Sequence, residues 1–371
     1  MQPVVTVAEM RDADDAAPVP IDVLVARAGR AVANTARRLL GGGYGARVVI
    51  VAGKGNNGAD GRAAGRVLAA RGARVAIVEP GRPLSGEPDL VIDGAFGTGF
   101  RGVYDAAPTT APVLAIDIPS GVDGDTGAAR EGAVRAVATV TMAARKPGLL
   151  LGEGPERAGT VEVADIGLPV HAAAALVDDG DRAWLPAPAR DAHKWGRACW
   201  IVAGSPGMRG APALCARAAQ RAGAGMLHVG SPGLHASEHP AGEAVAVGLP
   251  DRQWEDDVLG QLGRFAALVV GPGLGRSEAT TLAVRALVGR ADVPTVVDAD
   301  GLNALGRPGR LRAPGSAPVV LTPHDGEFAG LTGAKPGPDR LGAVRALARA
   351  TGAVVLLKGQ TTVVADPGAR S

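Results

Sequence analysis

The chain has 371 residues, enough for two domains that each bury a core, and a formal net charge of +2 with no basic cluster, which gives no reason to expect nucleic acid. No apolar run approaches the roughly 18 residues of a membrane span, and the acidic N-terminus is no signal peptide. Cys199 and Cys215 form neither a C-x-x-C motif nor a metal-ligand set, so the chain reads as cytoplasmic, in reducing surroundings that leave both thiols buried and free.

Residues 10–40 carry a helical rhythm, with Val23, Leu24, Ala28, Val32 and Leu39 as the predicted buried side. Strands follow at 47–52, 74–78, 89–93 and 113–117, with two more at 138–142 and 160–163. Continuous apolar runs broken by helical stretches and glycine loops predict an α/β fold with a parallel sheet covered on both faces. From 171 to 188 the pattern fails: an alanine run, an acidic patch and prolines read as a linker between domains at 1–170 and 189–371. A second α/β rhythm then runs through strands at 199–203, 226–229, 267–270, 295–298, 319–321 and 353–357, with helices at 211–222, 279–288 and 340–350.

The first domain turns on residues 48–60, VVIVAGKGNNGAD, an apolar β-branched run ending in a glycine-dense loop, with a helical stretch predicted from 62 to 71. Gly53, Gly55 and Gly58 satisfy G-x-G-x-x-G, and Glu79 lies about twenty residues on, where a ribose-binding acid sits in dinucleotide-binding folds. A Rossmann dehydrogenase is the first hypothesis, but Asp60 would repel a pyrophosphate and no polar set for a hydroxy or carbonyl substrate accompanies the loop. Asn56, Asn57 and Asp60 instead suit a bound cation, or hydroxyls and an amide. Two further strand ends carry Asp93, followed by GAFGTGFRG, and Asp117-Ile118-Pro119-Ser120. Each aspartate alone has even odds of being a turn or helix cap; three adjacent strand ends with such side chains point to one site.

GKGNNGADG, DGAFGTGFRG, AIDIPSGVDGDTG and TMAARKPGLLLGEGPERAGTVEVADIGLP, in that order, resemble the NAD(P)H-hydrate epimerase family (YjeF N-terminal) over roughly residues 10–168. The resemblance implies a Rossmann-like three-layer domain that interconverts R- and S-NADHX or NADPHX. It implies a potassium ion on Asn57, Asp93 and Ser120, and substrate contacts at Asn56, Asn57, Gly58, Ala59 and Asp60, at Gly97, Thr98, Gly99, Phe100, Arg101, Gly102 and Val103, and at Asp117. Asp117 is the candidate general acid/base, because epimerisation at a carbinolamine-like carbon needs proton transfer near the departing or returning oxygen. The family usually has a second glycine where Ala59 stands, a change tolerable only at negative φ. A homo-oligomer is also implied.

In the second half, GSPGMRG (204–210), GPGLG (271–275), DADGLN (298–303), LTPHDGE (321–327) and LKGQTT (357–362) nearly all follow predicted strands. His324 reads either as a helix cap or as a ligand contact, and Lys358 either as a solvated lysine or as a phosphate contact. With HKWGR (193–197), these motifs resemble the NAD(P)H-hydrate dehydratase family over roughly residues 185–366. The resemblance implies a ribokinase-like α/β domain that uses ADP, with magnesium left open, to dehydrate S-NAD(P)HX. Substrate contacts fall on Ala211, Gly273 and His324, and the nucleotide loop on Lys358, Gly359, Gln360, Thr361 and Thr362. The family's closing G-[ST]-G-D loop does not occur within the 371 residues, so the polypeptide is expected to have negligible dehydratase activity and an apolar patch on one sheet face. A ribokinase-like small-molecule or vitamin kinase and a non-catalytic dinucleotide-binding scaffold are the rival readings.

Overall fold

A computed structural model describes the chain except Ser85, Phe100, Arg101, Val103, Pro186, Pro188, Ala189, Asp191, Pro240, Ala241 and residues 369–371. It divides into two compact units, Met1–Leu185 and Pro186–Ser371.

The first unit opens with β1 (Gln2–Val4), α1 (Val7–Asp15) and α2 (Ile21–Leu39). Pro18 and Pro20, which lack the backbone N–H a helix needs, split the expected helical stretch in two. Thr6 and Glu9 form a capping box that starts α1. Along α2, Leu24, Ala28, Val32 and Ala36 repeat every fourth residue and are buried; Leu39, expected with them, is 43% exposed. There follow β2 (Arg47–Ala52), α3 (Asn56–Ala69), β3 (Arg74–Val78), β4 (Leu90–Gly94), β5 (Val113–Ile116), β6 (Ala138–Met142), α4 (Gly154–Ala158), β7 (Thr160–Ala164) and β8 (Ala174–Leu176).

Six strands make one parallel sheet in the order β3-β2-β4-β5-β6-β7. On one face α2 and α3 bury Val32, Ala64 and Leu68 against Ile50, Ile92 and Leu114. The helices can approach closely because a Cβ on Gly29 would lie 2.4 Å from that of Ala63. The opposite face packs Val51, Val91 and Val113 under Tyr104 and Val134 from the connecting segments. The expected cover on both faces is present, but largely irregular on the second.

The predicted linker at 171–188 needs correction. Its β8 pairs antiparallel with β1, Gln2 opposite Leu176, and the terminal ammonium of Met1 meets Asp181 at 2.5 Å, so the first unit runs on to Leu185. A three-residue strand whose partner lies at the other end of the unit leaves no periodicity in an alanine-rich stretch.

The second unit contains β9 (Ala198–Val202), α5 (Gly210–Arg221), β10 (Met226–Pro232), β11 (Val245–Leu249), α6 (Trp254–Leu262), β12 (Ala267–Val270), α7 (Glu278–Arg290), β13 (Thr295–Val297), α8 (Asp300–Leu305), β14 (Val319–Leu321), α9 (Asp325–Thr332), α10 (Arg340–Thr351), β15 (Val354–Leu357) and β16 (Val363–Ala365). Its sheet runs β11-β10-β9-β12-β13-β14-β15-β16, parallel apart from the antiparallel β16. One face is buried through Leu268, Val297, Leu321 and Val355. On the other, the register row Val269–Val296–Val320–Val354 is only half-buried and Val364 is 57% exposed.

Candidate functional site

In the first sheet the chain leaves β2 for β3 on one side and returns to β4 on the other. Such a switch point opens a crevice beyond the carboxyl ends of the strands. A cavity of about 960 Å³ lies there, lined by Asn57, Asp60, Phe96 and Asp117, with Leu24 of α2 and Glu79 after β3.

The residues Asn56 to Asp60 do not form the loop their composition suggests. They are the first turns of α3, which starts at Asn56 after the extended Gly55, six residues before the predicted helix start at 62. The tight entry depends on glycine: a Cβ on Gly58 would lie 1.9 Å from the carbonyl oxygen of Gly53. Ala59 sits inside the helix and is absent from the residues with positive φ, so alanine carries no strain there. Asn56, Asn57, Gly58 and Asp60 line the cavity, as do Gly97, Thr98 and Gly99, whereas Ala59 and the exposed Gly102 do not. Phe100, Arg101 and Val103 lie outside the described residues.

Asn57, Asp93 and Ser120 come from three strand ends and meet around one short piece of backbone. The Asn57 amide donates to the carbonyls of Phe96 (3.1 Å) and Ile116 (2.8 Å). Ser120 donates to both Asp93 oxygens, from its hydroxyl at 2.7 Å and its backbone N–H at 2.8 Å, and the Phe96 N–H donates to the Ser120 hydroxyl at 2.9 Å. Asp93 is 2% exposed and accepts only from neutral groups among the described residues. Burial pushes its carboxyl above the usual range, against the opposing Ser120 bonds.

Asp117 follows β5 with φ +66, a left-handed backbone uncommon outside glycine and one that clusters at functional sites. Its carboxylate accepts from Thr141 (3.1 Å), from the Met142 N–H (3.2 Å) and from the ammonium of Lys146. Lys146 is fully buried, and its remaining bonds go to the Thr141 hydroxyl (3.0 Å) and the Met142 carbonyl (2.9 Å). Three acceptors for three ammonium protons satisfy the buried cation. From the sequence, Lys146 stands only inside the motif that begins at Thr141, with no role assigned to it. The available signal was its place just beyond β6, next in the row of strand ends.

The second sheet has its own switch point, between β9 and β12. There the Gly204 N–H donates to the Pro272 carbonyl at 2.7 Å and the Ser205 hydroxyl to that of Gly273 at 2.9 Å. Gly273 lies against Ala211: a Cβ on the glycine would be 3.1 Å from the alanine's. His324 caps α9, its Nδ1 accepting from Gly326 (2.9 Å) and Glu327 (3.2 Å), while its side chain is 59% exposed. The cap reading therefore holds, with Nε2 3.6 Å from the Glu327 carboxylate. Lys358, followed by Gly359–Thr362 between β15 and β16, pairs with Asp298 at 2.9 Å and Glu327 at 3.4 Å. Partial burial opposes its charge, but the two carboxylates hold the ammonium above its usual range. Asp298 and Glu327 are partners the sequence did not assign to Lys358.

Family models match both halves: a YjeF-related protein N-terminus at residues 21–87 and 78–148, and an NAD(P)H-hydrate dehydratase at 199–371. The bifunctional NAD(P)H-hydrate repair enzyme Nnr of Salinibacter ruber is 37% identical, aligned over 100% of this chain and 82% of that protein. This chain belongs to the bifunctional NAD(P)H-hydrate repair enzyme family. The Mycobacterium tuberculosis member is 38% identical over 95% of this chain and 79% of its own length. Among solved structures, an ADP/ATP-dependent NAD(P)H-hydrate dehydratase from Bacillus subtilis, co-crystallised with ATP/Mg2+, matches 51% of this chain and 67% of its own, at 32% identity and a TM-score of 0.43. In this repair family member no helix among the described residues is long and apolar enough to cross a membrane.

Proposed function

We propose that the first unit interconverts the R and S hydrates of NADH and NADPH, and that the second carries substrate and nucleotide groups of an ADP-dependent dehydratase of the S hydrate, in the cytoplasm and as a homo-oligomer. The observation that carries the first reading is the meeting of Asn57, Asp93 and Ser120 beneath a cavity whose wall holds Asp60 and Asp117. For the second unit, support comes from strand ends that bring Ala211 beside Gly273 and set Lys358 at the head of the turn Gly359–Thr362.

A potassium ion fits the first site in kind. Asp93 is a buried carboxylate without a cationic side chain among the described residues; the Ser120 hydroxyl bonds to it, and that hydroxyl and the Asn57 amide both bond to the Phe96 carbonyl, which gathers hard oxygen donors of the kind that suit such an ion. Asn57, Asp93 and Ser120 would hold it, and the ion would supply the positive charge the carboxylate lacks. Removing potassium is expected to lower epimerisation at least about tenfold, a loss of about 1.4 kcal/mol. In Asp93→Asn the response to added potassium should disappear. Rates unchanged across a potassium titration of the wild type would remove the ion from the site.

Glu79 gives a substrate preference. It follows β3 on the same cavity wall, where a carboxylate accepts a hydrogen bond from a ribose 2′-hydroxyl and repels a 2′-phosphate. NADHX is expected to exceed NADPHX in kcat/KM by about tenfold or more, and Glu79→Gln to remove most of that ratio. Equal ratios in both proteins would take Glu79 off the ribose.

A further inference from the structure

Asp60 is 6% exposed, lines the cavity, and makes no hydrogen bond or ion pair among the described residues. A buried carboxyl without a partner is costly unless it stays neutral or meets a ligand. Its charged surroundings are mostly negative: Asp14 on α1 and Asp117 after β5 both act on it. The rest of the wall offers Lys54, Arg62, whose guanidinium donates to the Gly53 carbonyl at 2.9 Å, and Glu79; α2 contributes apolar side chains such as Leu24 and Val25. Burial first, then Asp117 and Asp14, pushes the Asp60 carboxyl up to about 7. Asp117, in contrast, has the buried Lys146 as its counter-charge. Two carboxyl groups thus line one cavity in unlike settings, Asp117 paired with a buried ammonium and Asp60 with no partner among the described residues, the kind of contrast that divides acid from base.

We infer that Asp60 is a second catalytic acid/base of the epimerase site, protonating the departing hydroxyl on one face of the hydrated ring while Asp117 takes the proton of the water entering on the other. The inference rests on the epimerase reading and goes beyond it. In the step, the C–O bond of the carbinolamine carbon breaks as Asp60 gives its proton, and water leaves. The ring nitrogen's lone pair forms the C=N bond of an iminium. Water then adds to the opposite face, the C–N π pair returns to nitrogen, and the proton released goes to Asp117. Solvent carries a proton from Asp117 back to Asp60, so nothing is oxidised or reduced. In the reverse direction the same two groups exchange tasks.

The test uses the full chain, pure R- or S-NADHX separated by chiral chromatography, and a calorimetric titration with the same compounds. Asp60→Asn is expected to lose about 100-fold or more in kcat while affinity stays within about threefold. The wild-type rate should fall as pH rises through about 7, where Asp60 gives up its proton. Asp60→Glu should keep activity and shift that fall. Thermal melting supplies a readout apart from activity. The unfolded carboxyl releases its proton near 3.8 and the folded one near 7, so wild-type stability drops as pH rises across that window, and Asp60→Asn should flatten the drop. Full kcat in Asp60→Asn, or a loss confined to affinity, overturns the acid/base role. A misfolded Asp60→Asn leaves the decision to Asp60→Glu, where an unshifted pH profile overturns it. A wild-type chain that does not interconvert the hydrates removes the epimerase reading and this inference together, before any variant is made.

Discussion

Asp117→Asn is expected to slow epimerisation by about 100- to 10,000-fold, the usual worth of a positioned acid/base. The substitution is nearly isosteric, and an amide oxygen can still accept from Thr141, the Met142 N–H and Lys146. What it removes is the ability to take and return a proton. The backbone there should hold, because the positive φ of the residue suits asparagine as well as aspartate, but the fully buried Lys146 loses its counter-charge, so a denaturant midpoint is measured beside the rate. The measurement is kcat for R- to S-NADHX beside the affinity for either epimer. A rate within about threefold of wild type would remove Asp117 from the chemistry.

Lys146→Met is expected to carry the second largest effect, on stability as well as rate. The lysine is fully buried and the Asp117 it faces is 8% exposed, so the substitution strands a carboxylate with no counter-charge in a low-dielectric site. Breaking a buried pair from one side typically costs about 3–5 kcal/mol. Turnover should fall at least about tenfold, because Asp117 loses both its orientation and its electrostatic partner. The double variant Asp117→Asn/Lys146→Met separates the two contributions. Removing both charges should restore stability relative to Lys146→Met alone, by about 1–3 kcal/mol of coupling, while the rate stays at the Asp117→Asn level. Denaturant midpoints and turnover on the same preparations decide it. Additive stability losses in the double variant would show that the pair is not coupled.

Much of this site was legible in the residues because parallel sheets place chemistry at strand ends. The runs that became β2, β3, β6, β12 and β14 have the bounds their apolar patterns give. Once their order was right, Asn57, Asp93, Asp117 and Ser120 could be assigned to neighbouring ends. What stayed hidden has physical causes. Strand β1 finds its partner at the far end of the unit, and a pairing across such a distance leaves no local pattern. The start of α3 was missed because asparagine and glycine favour loops on their own; here the close contact of Gly58 with Gly53 sets the helix entry. The Asp117–Lys146 pair joins two strand ends through buried charges, and composition alone gives Lys146 to solvent. The upward push on the Asp60 carboxyl also needs three dimensions, since it comes from burial and then from Asp117 and Asp14.

The central claim, a working epimerase in the first unit built on Asp117, is tested most directly by chiral chromatography of R- and S-NADHX. Either epimer, supplied pure to the full chain with potassium, should pass to the mixture far faster than in buffer, and Asp117→Asn should bring the rate close to the buffer's. Interconversion no faster with the wild-type chain than in buffer alone would contradict the account.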